Sequence, residues 1–461
     1  MASRGSHEMT ALERLGQHVA SGAPVSDARE LVELHLIDTI GAWIASTPTA
    51  EGRLLLRFRA ETREGEADGG SLALDLATRC ALARLSEIDD IHLASMTTPG
   101  AIVIPGALTL AAATPEATAE DVIAAILAGY EVMTRLGRAI DGPTALYRGI
   151  WPTYFAAPCG IAAVAGRLLG LDAQAAANAL ALALTLAAPG VGHHNAQTTA
   201  RWFSVGNAAR NGLAAALAAK GGFTSDLKLI ESNFLSGVYG VTPDGAALTS
   251  GLGDSPALAQ VSFKPWCAAR QTMAATQALR EIIESGVAPE SMTGIKAAVL
   301  PPHLKMIGHG VAAGDRASHL TSLPYCMAVA AWVPNMAFDV GASPASVPSA
   351  VRAFMDKITV EADERLLADY PRAWPARVSI EAASGRYERL LSHVPGDPAR
   401  PFDRSQVREK FLRFITPVLG TARAEQFFTR CGEALAGGQF ASLVAEIEQA
   451  CKETLAPHFG R

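Results

Sequence analysis

The stretch DAQAAANALALALTLA, residues 172–187, carries apolar side chains on almost every face of a helix. A helix of that kind has no solvated side and must be buried. The apolar segment 179–191 (ALALALTLAAPGV) is too short for a bilayer, which takes about 20 residues. It therefore belongs to the core of a helical body. Outward from it the same texture continues. EDVIAAILAGYEVMTRLGRAI (120–140) repeats apolar residues at helical spacing, with Thr118 and Asp121 set as a capping box. SVGNAARNGLAAALAAKGGF (204–223) carries small residues on several faces, which permits close helix–helix approach, and Gly221-Gly222 ends it. From about residue 10 to 270 the chain reads as a bundle of many helices.

Beyond about residue 275 the pattern changes. TGIKAAVL (293–300), KITVEAD (357–363) and ARVSIEAA (376–383) alternate and are β-branched, as strands are. Ser384-Gly385 turns the last of them into RYERLL as a hairpin. SHLTSLPYCMAVAAWV (318–333) reads as a helix with proline near its start, and helical periodicity returns from Ser405. The expected fold is mainly α: a large, discontinuous helical domain over 10–274 and 404–461, with a smaller α+β domain over 275–403.

A chain of 461 residues with 49% hydrophobic and 18% charged residues suits a compact protein with a large core. The net charge of −6, with no Lys/Arg block, offers no footprint for nucleic acid or an anionic membrane. Six scattered cysteines without a C-x-x-C pair form neither a disulfide framework nor a zinc pattern, and suit a cytoplasmic protein with reduced thiols. MASRGSHEMT lacks the apolar region of a secretory signal and is set aside as an expected cloning remnant.

No G-x-G-x-x-G, Walker lysine motif, G-x-S-x-G or H-E-x-x-H occurs, so neither a metal nor a cofactor is expected. The chemistry lies in polar loops within apolar sequence. SEIDDIHLASMTTPGA (86–101) holds Glu87, Asp89, Asp90, His92 and Thr98. YRGIWPTY (147–154) places Trp151 on a turn, and GVGHHNAQTTARW (190–202) brings His193 and Arg201. FKPWCAARQT (263–272) brings Lys264 and Arg270 to the domain boundary, and SLPYC (322–326) brings Tyr325. Clefts between domains are a usual place for ligands. Arginines such as Arg201 and Arg270 grip carboxylates bidentately. Each residue also has a plainer reading: the acids as helix-terminal charges, His92 as structural, Trp151 as packing, Tyr325 as a core tyrosine with its hydroxyl satisfied.

The order of these loops resembles the MmgE/PrpD family, which includes 2-methylcitrate dehydratase, cis-aconitate decarboxylase and iminodisuccinate epimerase. The resemblance rests on D-D-x-H-L-x-S-M-T-x-P-G-A at 89–101 and G-N-A-A-R-N-G-L-A-A-A-L-A at 206–218. G-F-T at 222–224, K-P at 264–265 with Arg270, and S-L-P-Y-C at 322–326 complete it. It implies a large helical domain with a smaller α+β lid domain, a homodimer, and a small polycarboxylate substrate. Dehydratase and decarboxylase members carry T-H-P-G in the first loop, where this chain has Thr98 in place of histidine. They carry G-W/F-H-P-T in the second, where Trp151 stands for histidine, and a lysine where Arg201 stands. Their D-x-D-D begins at Glu87, and Ile91 follows the pair.

Neither threonine nor tryptophan is an acid near neutral pH, so loss of two imidazoles weakens water elimination more than proton exchange. The pattern is most similar to iminodisuccinate epimerase and implies a cofactor-free epimerase acting at the carbon α to a carboxylate. Lys264 and Tyr325 are the expected acid/base pair, with Asp90 and His92 orienting them or supplying a base. Arg201, Arg270, Asp89, Thr98, Trp151 and His193 are expected to bind substrate. The alternative is a dehydratase, a hydro-lyase, acting on a 2-methylcitrate-like hydroxy-tricarboxylate.

Overall fold

A computed structural model of the chain describes residues 8–22, 28–63, 71–191, 198–312, 314–342 and 346–454. Its first core is helical. Helix Ala119–Ala139 forms with the Thr118–Asp121 capping box, and almost every residue of it is buried. Helix Pro152–Leu168 packs closely on it, and helices Ala173–Thr185 and Ala200–Lys220 pack on Pro152–Leu168 and on each other. The small residues in 204–223 have the effect their spacing implies. A β-carbon on Gly206 would lie 2.5 Å from the Ala77 carbonyl oxygen, and one on Gly212 would strike the Pro158 carbonyl. The helix starts at Ala200, four residues before the quoted stretch, and stops at Gly221.

The second core surrounds a four-stranded sheet in the order β2-β1-β3-β4, with β1 Met292–Val299, β2 Ile358–Ala362, β3 Ala376–Ala382 and β4 Gly385–Leu391. β1 and β2 are parallel; β1–β3 and β3–β4 are antiparallel, and Ala382 pairs Gly385 across the hairpin turn. Val378 and Ile380 of β3 face inward with Met273 and Leu279 of helix Arg270–Glu284. The mainly α fold with a small sheet is thus as the sequence reads. One element differs: 318–333 is two helices, Arg316–Thr321 and Leu323–Trp332. The Ser322 hydroxyl accepts the Tyr325 N–H as an N-cap while Pro324 occupies the first turn, so a new helix begins there.

Helix Arg404–Leu419 returns to the first core through Val407, Phe411, Phe414 and Ile415. Between the cores, Ile91, Leu93 and Met96 of the first polar loop pack on Leu300, Leu366 and Trp374. This apolar seam fixes one loop against both halves of the chain. Among the described residues no helix is long and apolar enough to cross a membrane.

Candidate active site

A cavity of about 370 Å³ opens at this seam. The first half of the chain lines it with Arg84, Glu87, Thr98, Trp151, Thr153 and Arg201, and the second half with Lys264, Arg270, Gln271, Asp315, Arg316 and Leu320. Its charge is weighted to cations, with Arg84, Arg201, Lys264, Arg270 and Arg316 against Glu51, Glu87 and Asp315 among the described residues. That is a wall for an anion. No described histidine lines it, and no described group of three His, Cys, Asp or Glu is placed to hold a metal.

Lys264 lies at the middle of the charge cluster and is 2% exposed. Its Nζ donates to the Glu87 carbonyl at 3.4 Å, Glu87 Oε2 at 3.2 Å and Asp89 Oδ1 at 3.3 Å. Arg84 reaches the same carboxylates, at 2.9 Å from Glu87 and 3.3 Å from Asp89. The two acids respond oppositely. Burial works to raise Glu87, but Arg84, Lys264 and Arg316 outweigh it and hold its carboxyl down at about 2. Burial dominates at Asp89 and lifts it, against Arg84 and Lys264, and its Oδ2 has no hydrogen-bond partner among the described residues. The two neighbouring carboxyls are thus pushed in opposite directions. Glu87 and Met96 are left-handed (φ 57°) and both line the cavity. Non-glycine residues in that region store strain, which concentrates at functional sites.

Of the residues expected from sequence, the cavity brings together Thr98, Trp151, Arg201, Lys264 and Arg270. The Thr98 N–H donates to Thr153 Oγ1 at 3.0 Å, tying the loop to the start of helix Pro152–Leu168. The Arg201 guanidinium lies 5.1 Å from the Trp151 ring centre. Arg270 spends Nη2 on both Asp397 oxygens, at 2.8 and 2.6 Å, while Nε and Nη1 have no hydrogen-bond partner among the described residues. Asp89 stands behind Lys264 and does not line the cavity.

Three expected acid/base groups sit elsewhere. Asp90 is fully buried beneath the loop. Its Oδ2 accepts Tyr130 Oη at 2.6 Å and lies 2.8 Å from His35 Nδ1, and its Oδ1 accepts the Gly100 N–H at 2.8 Å. It anchors the N-terminus of helix Gly100–Ala112, where a carboxylate is favoured, and a β-carbon on Gly100 would lie 2.6 Å from it. The spacing from Asp90 to Gly100 thus ties the loop to the start of this helix. Tyr325 packs edge-on to His319 at 4.8 Å and lines a separate small cavity with Cys267 and Cys326. Burial pushes its phenol up to about 12. Its ring packs among the residues of the second core. His193 lies outside the described residues.

His92 is the third, with Nδ1 2.8 Å from Ser95 Oγ. Burial, and then the field of Arg138, lower it from its ordinary 6.5 to about 4. The folded state refuses a proton that the unfolded chain accepts, so stability is complete above about pH 6.5 and falls as the pH drops towards 4. His92→Asn is expected to flatten that fall by up to one proton, about 1.4 kcal/mol per pH unit. Urea midpoints at several pH values between 4 and 7 would show it, and an unchanged slope would contradict it.

Sequence reasoning missed Arg84 and Arg316. Arg84 stands three residues before Glu87 at the end of a helix, a spacing that signals an ion pair. Arg316 lies 230 residues from Ser86, whose carbonyl it binds, and nothing local marks it.

With this geometry in hand, comparison with known proteins defines the class. Residues 17–249 match the MmgE/PrpD N-terminal domain and 266–433 the MmgE/PrpD C-terminal domain, so the chain belongs to the MmgE/PrpD family. Cis-aconitate decarboxylase of Aspergillus terreus, represented by two sequences, is 34% identical over 169 residues, which cover 34% of this chain and 33% of that protein. The chain thus matches about a third of the length of these relatives.

Proposed function

We propose that the protein is an epimerase that moves the proton α to a carboxylate of a small polycarboxylate such as iminodisuccinate. The observation that supports this most is the cation-rich cavity around one buried lysine, with Thr98 and Trp151 in its wall where the dehydratase and decarboxylase pattern has histidines. Arg201 and Arg270 hold carboxylates. Lys264, in its amine form, takes the α-proton; the C–H pair stays on carbon and delocalises into the adjacent carboxylate, whose charge the guanidinium groups stabilise. Water donates a proton to the opposite face, and the hydroxide it leaves takes the proton from the Lys264 ammonium, which completes the inversion and restores the amine. The hydrogen bond from Lys264 Nζ to Asp89 Oδ1 supports Asp89 as the holder of the proton that leaves Lys264 in its amine form.

Incubation with small dicarboxylates in deuterated water is expected to place deuterium at the α-carbon and change optical rotation, without new ultraviolet absorbance or carbon dioxide. A lyase is the second reading, favoured by the likeness to cis-aconitate decarboxylase. Growth of unsaturated-acid absorbance would establish elimination, and release of carbon dioxide would establish decarboxylation. Either without α-exchange overturns the epimerase.

A further inference from the structure

The cations of the cavity wall are unequally matched. Arg84 and Lys264 share Glu87 and Asp89, and Arg270 lies against Asp397. Arg316 is 5% exposed, yet its guanidinium is held by backbone carbonyls: Nε donates to Val340 at 2.7 Å and Nη2 to Ser86 at 3.2 Å. Among the described residues no carboxylate lies within ion-pair distance of it; Glu87 feels its charge without touching it. Burying a guanidinium without a counter-ion is costly, and an entering anion offsets that cost.

We propose that Arg316 binds the second carboxylate of the substrate and thereby sets a preference for dicarboxylates over monocarboxylates. The proposal rests on the proton-transfer reading of the same cavity and adds the residue that selects the substrate class. Its geometry is specific. Lys264 and Arg316 donate to successive carbonyls, of Glu87 and Ser86, so both cations are anchored on one short segment of the first polar loop and both line the same cavity. A small molecule reacting at Lys264 would carry its second carboxylate to Arg316. Two backbone contacts fix the fork before substrate arrives, so little is lost in ordering it.

The test is calorimetric binding of succinate and of propionate to the full chain, to Arg316→Gln and to Arg316→Lys. Charge-assisted hydrogen bonds of about 1.5–3 kcal/mol correspond to roughly a 10- to 100-fold loss. Arg316→Gln is expected to lose succinate affinity by at least about tenfold while propionate changes less than about twofold. Arg316→Lys should keep part of the succinate affinity, and it carries the test if the glutamine variant fails to fold. Equal weakening of both acids, or succinate binding unchanged in both variants, overturns the proposal. Unchanged succinate binding with α-exchange intact overturns it alone. A wild-type chain that binds neither acid and exchanges no α-proton overturns the proton-transfer reading as well.

Discussion

Lys264→Arg is expected to lower α-proton exchange by about 10³-fold in a protein that remains folded. Arginine keeps the positive charge facing Glu87 and Asp89, so the buried ion cluster retains its balance. Its guanidinium does not give up a proton near neutral pH, whereas the proposed mechanism needs an amine at this position. The variant therefore separates charge from proton transfer, which a neutral replacement at a 2%-exposed position does not. Exchange is read by loss of the α-hydrogen signal in deuterated water, and folding by the urea midpoint. Full exchange in Lys264→Arg would remove Lys264 from the chemistry.

The largest stability effect is expected at Lys410→Met. Lys410 reaches from helix Arg404–Leu419 into the first core, where Nζ lies 2.5 Å from Asp38 Oδ1 and donates to the Ile88 carbonyl at 2.8 Å. Asp38 is 3% exposed, and burial already raises its carboxyl against the pull of Lys410. Without the amine, an acid is left buried and uncompensated, at a cost of about 3–5 kcal/mol. Asp38→Asn combined with Lys410→Met should recover most of that loss, since a neutral pair carries no buried charge. Urea unfolding of the single and double variants decides it; a single-variant loss below about 1 kcal/mol would show that the pair is not structural. Ile88 lies between Glu87 and Asp89, so α-exchange should also fall in the single variant while the cavity's own residues are unchanged.

Periodicity made the main elements readable. The apolar helix after Asp172, the capping box at Thr118 and the β3–β4 hairpin each depend on residues within a few positions of one another. The break at Ser322 was also written locally, in a serine and a proline two residues apart, although the apolar run around it reads as one helix. Motif order pointed to the loops that meet at the cavity, and Thr98, Trp151, Arg201, Lys264 and Arg270 do meet there.

Direction and pairing were not readable, because they depend on what lies opposite each side chain after the chain has closed. In the sequence Asp89 and Asp90 are equivalent neighbours. In the fold one faces Lys264 and the other anchors a helix beneath the loop. Tyr325 belongs to a matching motif, yet its helix turns it towards His319. Arg316 has no local signature, since its importance arises from a carbonyl 230 residues away and from the carboxylate it does not meet among the described residues. Local spacing thus determined the elements and the set of loops that bear charge. Only tertiary structure decided which charges are matched within the protein and which are left facing the cavity, because burial and Coulomb interactions act through space.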